Sequence, residues 1–202
     1  MIKLGVFILP NKYLKLKIIR YKKLIKKNFG EQRYLSHLPH CTLCVLNVTK
    51  NSIKNIKTDK LIIRKFKQYL KIINYDIFYD DPITNGNTII FKIEKNKFLK
   101  ELQLTILKNL QKFIFKTKKN YKIRKMEKNF TKYGYPFVNI NWKPHYTIAS
   151  LSKKIKEKNF LKLLKNFKNK NISQKVNKVY FYQIKKNRHK LICIKKIYQR
   201  AL

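Results

Sequence analysis

One five-residue pattern occurs twice in the chain, at residues 39–43 and 144–148. Both copies consist of proline, histidine, any residue, threonine and an aliphatic residue, and together they hold two of the four histidines. Each copy leads into a run of β-branched and aliphatic residues, which predicts that each histidine opens a β-strand. A pattern that recurs at the same point of two strands predicts a fold of two related halves.

The spacing of apolar residues predicts the other elements. Strands are predicted over residues 4–9, 41–48, 73–79, 89–93, 145–151, 176–184 and 190–198. Helices are predicted over residues 13–29, 59–70, 96–115 and 153–167, with residues 116–141 as an exposed connection. In the second helix Thr58 or Asp59 is the expected N-cap, and Ile62, Phe66 and Tyr69 share one face.

This order of elements predicts an α+β fold. We expect a single bilobal domain over residues 1–202. Its two βαβ-type halves would be related by a pseudo-twofold axis, and their antiparallel sheets would line a central cleft.

The two motifs predict a chemical site. Residues i and i+2 of a strand project from the same side, so His40 should lie beside Thr42 and His145 beside Thr147. If the two strands pack side by side, two imidazoles flank one cleft. A neutral histidine can take a proton from water or a 2′-hydroxyl, while a protonated histidine gives one to the leaving oxygen. Threonine hydroxyls can donate to the non-bridging phosphoryl oxygens. The pattern therefore favours a phosphodiester as substrate, with no metal or cofactor.

Paired Pro-His-x-Thr motifs in a bilobal α+β chain resemble the 2H phosphoesterases. That family includes bacterial 2′,5′-RNA ligase-like proteins and cyclic nucleotide phosphodiesterases, and the resemblance covers nearly the whole chain. It implies that His40, Thr42, His145 and Thr147 are the catalytic residues. It also implies action on 2′,5′ linkages or 2′,3′-cyclic phosphates without a metal.

Residues beside the motifs are candidates for substrate binding. Ligase-like members of the family often have a basic residue just before the first Pro-His and an arginine after the second motif, where this chain has Leu38 and Ser150. Lys143 is then the nearest candidate for binding the phosphate. Trp142 could either stack on a base or fill the interface between the lobes.

Two histidines lie outside the motifs. We expect His37 and His189 on the surface or in loops, with His37 close enough to the first motif to border the cleft. Residues 37–44 contain two histidines and two cysteines, a composition that could also bind zinc. A strand would send Cys41 to the face opposite His40, which disfavours that alternative.

The charge of the chain points to an anionic partner. The sequence has 50 Lys plus Arg against 9 Asp plus Glu, a net charge of +41, while 44% hydrophobic residues exclude a disordered polycation. Such a surface attracts RNA or oligonucleotides, with anionic membranes as the second possibility.

The basic helix over residues 13–29 has the composition of a membrane-surface helix. We expect its apolar stripe to face a sheet instead, and hence no stable membrane association. The lysines of residues 116–132 are placed to guide a polyanion toward the second motif.

Three cysteines are too few and odd in number for a disulfide framework, and no apolar run is long enough to span a membrane. We therefore expect a reduced, cytoplasmic monomer. The leading hypothesis is a metal-independent phosphodiesterase acting on RNA, oligonucleotides or cyclic nucleotides. The alternatives are a basic RNA-binding protein without catalysis, and a 2′,5′-RNA ligase that uses the same acid–base pair.

Overall fold

The secondary structure alternates between strands and helices, as the sequence predicts. The computed structural model describes residues 1–58, 60–63, 68–81, 83–115, 123–165, 167, 172–185 and 188–199. In these residues the strands are β1 Ile2–Ile8, β2 Cys41–Val48, β3 Leu61–Ile63, β4 Tyr69–Asp81, β5 Gly86–Ile93, β6 His145–Ser152, β7 Ile172–Lys175, β8 Lys178–Lys185 and β9 Arg188–Gln199. The helices are α1 Lys12–Phe29, α2 Ser52–Thr58, α3 Lys97–Leu110, α4 Arg124–Tyr133 and α5 Glu157–Leu164. This order confirms the α+β class.

The strands form one open sheet of two halves. Their order is β3-β9-β8-β1-β2-β6-β5-β4-β7. The halves meet where β2 pairs with β6, at Cys41 and Tyr146, and we call this meeting point the joint. The sheet is antiparallel except between β3 and β9, whose parallel pairing differs from the prediction.

The two halves of the sheet exchange elements. One half of the sheet contains β1, β2 and β3 together with β8 and β9 from the end of the chain. The other half contains β4 and β5 together with β6 and β7. α1 follows β1 and packs on β6, whereas α3 follows β5 and packs on β2. Each lobe therefore contains elements from both parts of the chain, which fixes the two lobes to each other.

Helix α1 buries an apolar stripe against the sheet. The Asn11 side chain caps its first turn by accepting from the Leu14 amide at 2.9 Å, and Gly30 ends it with a φ of 67°, which glycine adopts without strain. Ile18 and Ile25 are fully buried. The stripe therefore faces the protein core, as expected, and is not available to a membrane surface. No helix in the described ranges has the length and apolar character to cross a bilayer.

The predicted helix over residues 59–70 is wrong where the structure describes it. Residues 61–63 form β3, and Tyr69 begins β4. Leu61 and Ile63 are buried while Ile62 is 43% exposed, the two-residue alternation of a strand. Asp59 and Phe66 lie outside the described residues. The helix that precedes β3 is α2, which ends where the predicted one begins.

The predicted connection over residues 116–141 contains a helix. α4 occupies Arg124–Tyr133 and ends at Gly134, whose φ is 64°. Tyr135 and Val138, which follow it, are buried. Residues 116–122 are outside the described part of the chain, so of the lysines expected to guide a polyanion the structure describes only those from residue 123 onward.

The final helix is shorter than predicted, because α5 ends at Leu164 and β7 follows as an edge strand beside β4.

Candidate active site

The joint brings the two motifs together through their middle residues. Cys41 pairs with Tyr146 in antiparallel register, and both side chains are fully buried on the core side. By this register His40 lies opposite Thr147, and Thr42 lies opposite His145. Directly opposed residues project from the same face of a sheet. The four predicted catalytic side chains therefore share the face that turns away from the Cys41–Tyr146 pair.

Each motif is followed by the same irregularity. In β2, Thr42 pairs with Phe7 but the next pair is Cys44 with Val6, so one extra residue lies between them. In β6, Thr147 pairs with Ile90 and the next pair again skips one residue. A β-bulge bends its strand and re-aims the side chains around it, and bulges are frequent beside active sites. The two halves thus repeat the local geometry as well as the sequence of the motif.

The two histidine rings are held by equivalent hydrogen bonds. Nδ1 of His40 donates to the Leu38 carbonyl at 2.7 Å, and Nδ1 of His145 donates to the Lys143 carbonyl at 2.7 Å. A carbonyl can only accept, so these bonds place a proton on Nδ1 and leave Nε2 as the atom that exchanges protons with a substrate. The proline of each motif explains this local fold, because a residue before proline adopts an extended backbone. Its carbonyl is then free to meet the imidazole two residues later.

Aromatic neighbours fix each imidazole further. The Phe7 ring lies against His40, with ring centroids 4.1 Å apart, and the Phe78 ring meets His145 edge to face at 5.1 Å. Both histidines remain partly exposed to solvent. Each imidazole is therefore packed on one side and open on another.

The electrostatic surroundings of the two histidines differ. Burial lowers the pKa of His40 to about 4, and the basic groups of His189, His37 and Lys22 add to this effect against the hydrogen bond to Leu38. Burial also lowers the pKa of His145, but there the hydrogen bond to Lys143 and the Asp81 carboxylate act in the opposite direction. The charged groups near His40 thus act together with burial toward the neutral form, whereas the charged group near His145 acts against burial.

The two predicted substrate-binding residues have different positions. Lys143 is exposed beside His145, with Nζ 5.8 Å from the centroid of the Phe78 ring, so its charge is available to an anion. Trp142 is only 3% exposed, and its indole Nε1 donates to the Thr42 carbonyl at 3.1 Å. Of the two positions expected for Trp142, the ring therefore takes the second: it fills the interface between the lobes and ties the second motif to the first.

Several groups near the site have no signal in the sequence. His189 on β9 lies 5.4 Å from His40 between ring centroids, although the sequence places it on the surface, and His37 lies 6.1 Å from His189. Lys22 of α1 is buried and donates to the carbonyls of Tyr34 and His37. His189 and Lys22 are far from the first motif in the chain, so neither spacing nor motif could have indicated them, whereas His37 lies beside the motif as its spacing from His40 predicts.

The cysteines of β2 are core residues. Cys41 and Cys44 are fully buried, and burial raises the pKa of both thiols, that of Cys41 to about 12. Among the residues that the structure places, no three His, Cys, Asp or Glu side chains are arranged to hold a metal ion. The cluster over residues 37–44 therefore does not assemble as the zinc alternative requires.

A cavity away from the joint is lined by lysines. Its volume is about 690 Å³, and none of its lining residues belongs to a motif. The lining residues are Lys60, Lys108, Asn109, Gln111 and Lys112. It is a basic surface separate from the paired histidines.

Comparison with known proteins gives a likeness in structure. No protein-family model matches the chain, and no curated protein sequence matches it. The solved structure of TT0787 of Thermus thermophilus matches with a TM-score of 0.63 and 11% identity, over 98% of this chain and 100% of that one. A structure described as a phosphoesterase matches with a TM-score of 0.58 and 11% identity, over 98% and 99%.

The structure of E. coli LigT in complex with 3′-AMP matches with a TM-score of 0.55 and 13% identity, again over 98% of this chain and 99% of the other. Each match spans both chains almost completely. At these identities the matches confirm the fold that the paired motifs predict.

Proposed function

We propose that the chain is a metal-independent phosphodiesterase of the 2H type, acting on 2′,3′-cyclic phosphates or 2′,5′ linkages of RNA or oligonucleotides. The observation that carries this proposal is the joint, where two His-x-Thr pairs share one face and both imidazoles are held by the same hydrogen bond. The fold shared with a phosphoesterase and with LigT supports it, as does the nucleotide in that LigT complex.

His40 is the general base in this proposal, and His145 is the general acid. Burial and the basic groups around His40 keep its Nε2 free of a proton, so it can accept one from the attacking water, or from the 3′-hydroxyl beside a 2′,5′ linkage. Burial lowers the pKa of His145, but the hydrogen bond to the Lys143 carbonyl and the negative charge of Asp81 act against this shift. His145 is therefore the histidine that gives a proton to the leaving oxygen. One proton enters the protein at His40 and one leaves at His145, so the pair must exchange protons with solvent before the next turnover.

Thr42 and Thr147 complete the site. Each hydroxyl lies opposite the histidine of the other motif, by the register at the joint. They are placed to donate to the non-bridging oxygens, where negative charge grows in the transition state. Lys143 adds a positive charge on the His145 side. These groups can stabilise the phosphoryl oxygens while the two histidines transfer the protons.

The test is turnover of adenosine 2′,3′-cyclic phosphate and of a 2′,5′-linked adenylate dimer by the purified chain. We expect hydrolysis that EDTA does not change. The His40→Ala and His145→Ala variants should each lose at least about a hundredfold in kcat, the usual contribution of a positioned acid or base. Thermal unfolding of the variants near that of the wild type would show that the loss is chemical. Full activity in either variant would remove the catalytic assignment.

A non-catalytic RNA-binding protein is the second candidate. The net charge of +41 and the lysine-lined cavity away from the joint favour it, because neither is needed for chemistry at two histidines. Under this alternative the chain binds RNA with an affinity that depends strongly on salt, but it converts neither the cyclic phosphate nor the 2′,5′-linked dimer. Ligation is tested in the same samples, since the same acid–base pair can run the reverse reaction. An RNA end with a 2′,3′-cyclic phosphate and one with a 5′-hydroxyl would be joined.

A further inference from the structure

Three of the four histidines gather at the first motif. The ring of His189 on β9 lies 5.4 Å from that of His40 and 6.1 Å from that of His37, between centroids. His37 and His189 are both partly exposed to solvent. Of these three histidines, the reaction proposed above uses only His40. The imidazoles of His37 and His189 therefore lie beside the reacting group with no role in that reaction.

Among the described residues, the charged groups that act on His37 are all basic. His189, Lys22 on α1 and Arg33 before β2 all act on His37 and favour its neutral form. Burial lowers the pKa of His37 and of His189. The other ring neighbours are Tyr34 at His37, and Phe7 and Tyr182 at His189. Basic groups packed together repel one another, and an anion among them relieves that repulsion.

The opposite side of the joint is different. The Asp81 carboxylate acts on His145 by its negative charge, and Asp81 is buried and accepts hydrogen bonds from the Thr88 hydroxyl and the Ile83 amide. Lys143 is the cation on this side and serves the phosphate that is cleaved, while the negative charge of Asp81 disfavours a second anion. An additional anionic group of a substrate would therefore lie on the His40 side.

We propose that His37 and His189 bind a second phosphoryl group of the substrate, beside the phosphodiester on which His40 and His145 act. This rests on the proposed function, because it takes the scissile phosphate to lie between His40 and His145. A phosphate monoester next to an imidazole raises the pKa of that imidazole and turns its N–H into a charge-assisted donor. The substrate class is thus a nucleotide or oligonucleotide that also carries a terminal phosphate. Binding of that phosphate strengthens as the pH falls, since both imidazoles then carry a proton.

The experiment is calorimetric binding of adenosine 2′,5′-bisphosphate, compared with adenosine 2′-monophosphate and adenosine 5′-monophosphate. Whichever phosphate of the bisphosphate lies between His40 and His145, the other phosphate is free to bind at His37 and His189. We expect the wild type at pH 6 to prefer the bisphosphate by about tenfold over either monophosphate, as two charge-assisted hydrogen bonds would provide. The preference should shrink at pH 8. In the His37→Ala/His189→Ala variant the bisphosphate and the monophosphates should bind within about twofold.

Lys190→Ala is the matched control. Lys190 is the exposed neighbour of His189 on β9. Successive residues of a strand project from opposite faces, so this substitution removes a positive charge from the face opposite His189. It should leave the preference for the bisphosphate unchanged. A wild type without the preference, a double variant that keeps it, or a Lys190→Ala variant that loses it would each overturn the proposal. If the double variant unfolds, the single variant His189→Gln gives the same comparison.

Binding and turnover separate this proposal from the function on which it rests. A chain that binds the bisphosphate tightly through His37 and His189, yet hydrolyses no cyclic phosphate, would contradict the enzymatic function and keep the second phosphate site. A chain that hydrolyses adenosine 2′,3′-cyclic phosphate but shows no preference for the bisphosphate would contradict the second phosphate site alone.

Discussion

Cys41 of β2 pairs with Tyr146 of β6, so the middle residues of the two motifs meet at the junction of the sheet halves. Both side chains are fully buried. Their burial on the core side is what turns the histidines and threonines of both motifs toward the opposite face. The same pair therefore holds the lobes together and aligns the candidate catalytic groups.

Replacing Tyr146 with alanine should destabilise the protein strongly. Its ring is among the largest fully buried side chains, and removing a buried aromatic ring costs about 3–5 kcal/mol of unfolding free energy. Urea denaturation measures this loss. Tyr180→Ala on β8 is the control, because Tyr180 is only partly buried, and its loss should be closer to about 1 kcal/mol. Equal losses in the two variants would contradict a structural role for the joint.

Turnover should be fastest on the acid side of pH 6.5. The free protein needs a neutral His40, whose pKa burial lowers to about 4, and a protonated His145, whose pKa burial lowers below its usual value. The value of kcat/KM should therefore fall as the pH rises through the pKa of His145, and fall again as the pH approaches 4. A pH profile of kcat/KM on adenosine 2′,3′-cyclic phosphate measures both limbs. A maximum above about pH 7 would contradict the assignment.

Asp81→Asn should move the alkaline limb of that profile to lower pH. The Asp81 carboxylate raises the pKa of His145, and asparagine removes that charge while its side-chain oxygen can still accept from the Ile83 amide. Asp80→Asn is the control on the same strand, since Asp80 is exposed and pairs with Lys153. An alkaline limb that moves equally in both variants would indicate a general charge effect and not a specific effect of the Asp81 charge on His145.

A substrate with a better leaving group should separate the roles of the two histidines. A nucleotide p-nitrophenyl ester releases a stable anion, so its cleavage does not need a general acid. With this substrate His145→Ala should keep most of the wild-type rate, whereas His40→Ala should still lose about a hundredfold. The opposite pattern would exchange the two roles, and equal losses would show that neither histidine acts as the acid alone.

The sequence could predict that the candidate residues of each motif share one face, because the motif is local. Histidine and threonine two residues apart share a face in any strand, and the apolar runs after Thr42 and Thr147 identify those strands without tertiary information. The stripe of α1 is a similar case, since its period is set within one helix. Of the two flanking residues, Lys143 lies beside His145, but Trp142 fills the interface, because its indole finds an acceptor on the other lobe.

The elements that could not be predicted depend on distant partners. The short strand β3 exists through pairing of Leu61 with Ile197, near the end of the chain. Within residues 59–70 the spacing of apolar side chains fits a helix equally well, so the distant partner decides. The position of His189 beside His40 is of the same kind, since β9 reaches the first motif only through β8 and β1 in the folded sheet.

Lys22 should make stability depend on pH in a way that a methionine cannot. Its Nζ donates to the carbonyls of Tyr34 at 2.6 Å and His37 at 2.7 Å, and so holds the segment that leads into the first motif. Tyr34 has a φ of 71°, a backbone that residues other than glycine rarely adopt, so this segment depends on such support. The methionine in Lys22→Met fills the space but donates to neither carbonyl.

The pH dependence follows from the pKa of the buried amine. Burial lowers the pKa of Lys22 from 10.5 to about 8, so between these values the unfolded chain binds one more proton than the folded chain. The free energy of unfolding of the wild type should therefore rise with pH relative to Lys22→Met, by about 2 kcal/mol from about pH 7 to about pH 9.5. Urea denaturation at both pH values measures the difference. Lys23→Met, which changes an exposed neighbour, should show no such rise. A constant difference between the wild type and Lys22→Met would mean that the folded protein keeps Lys22 protonated across this range.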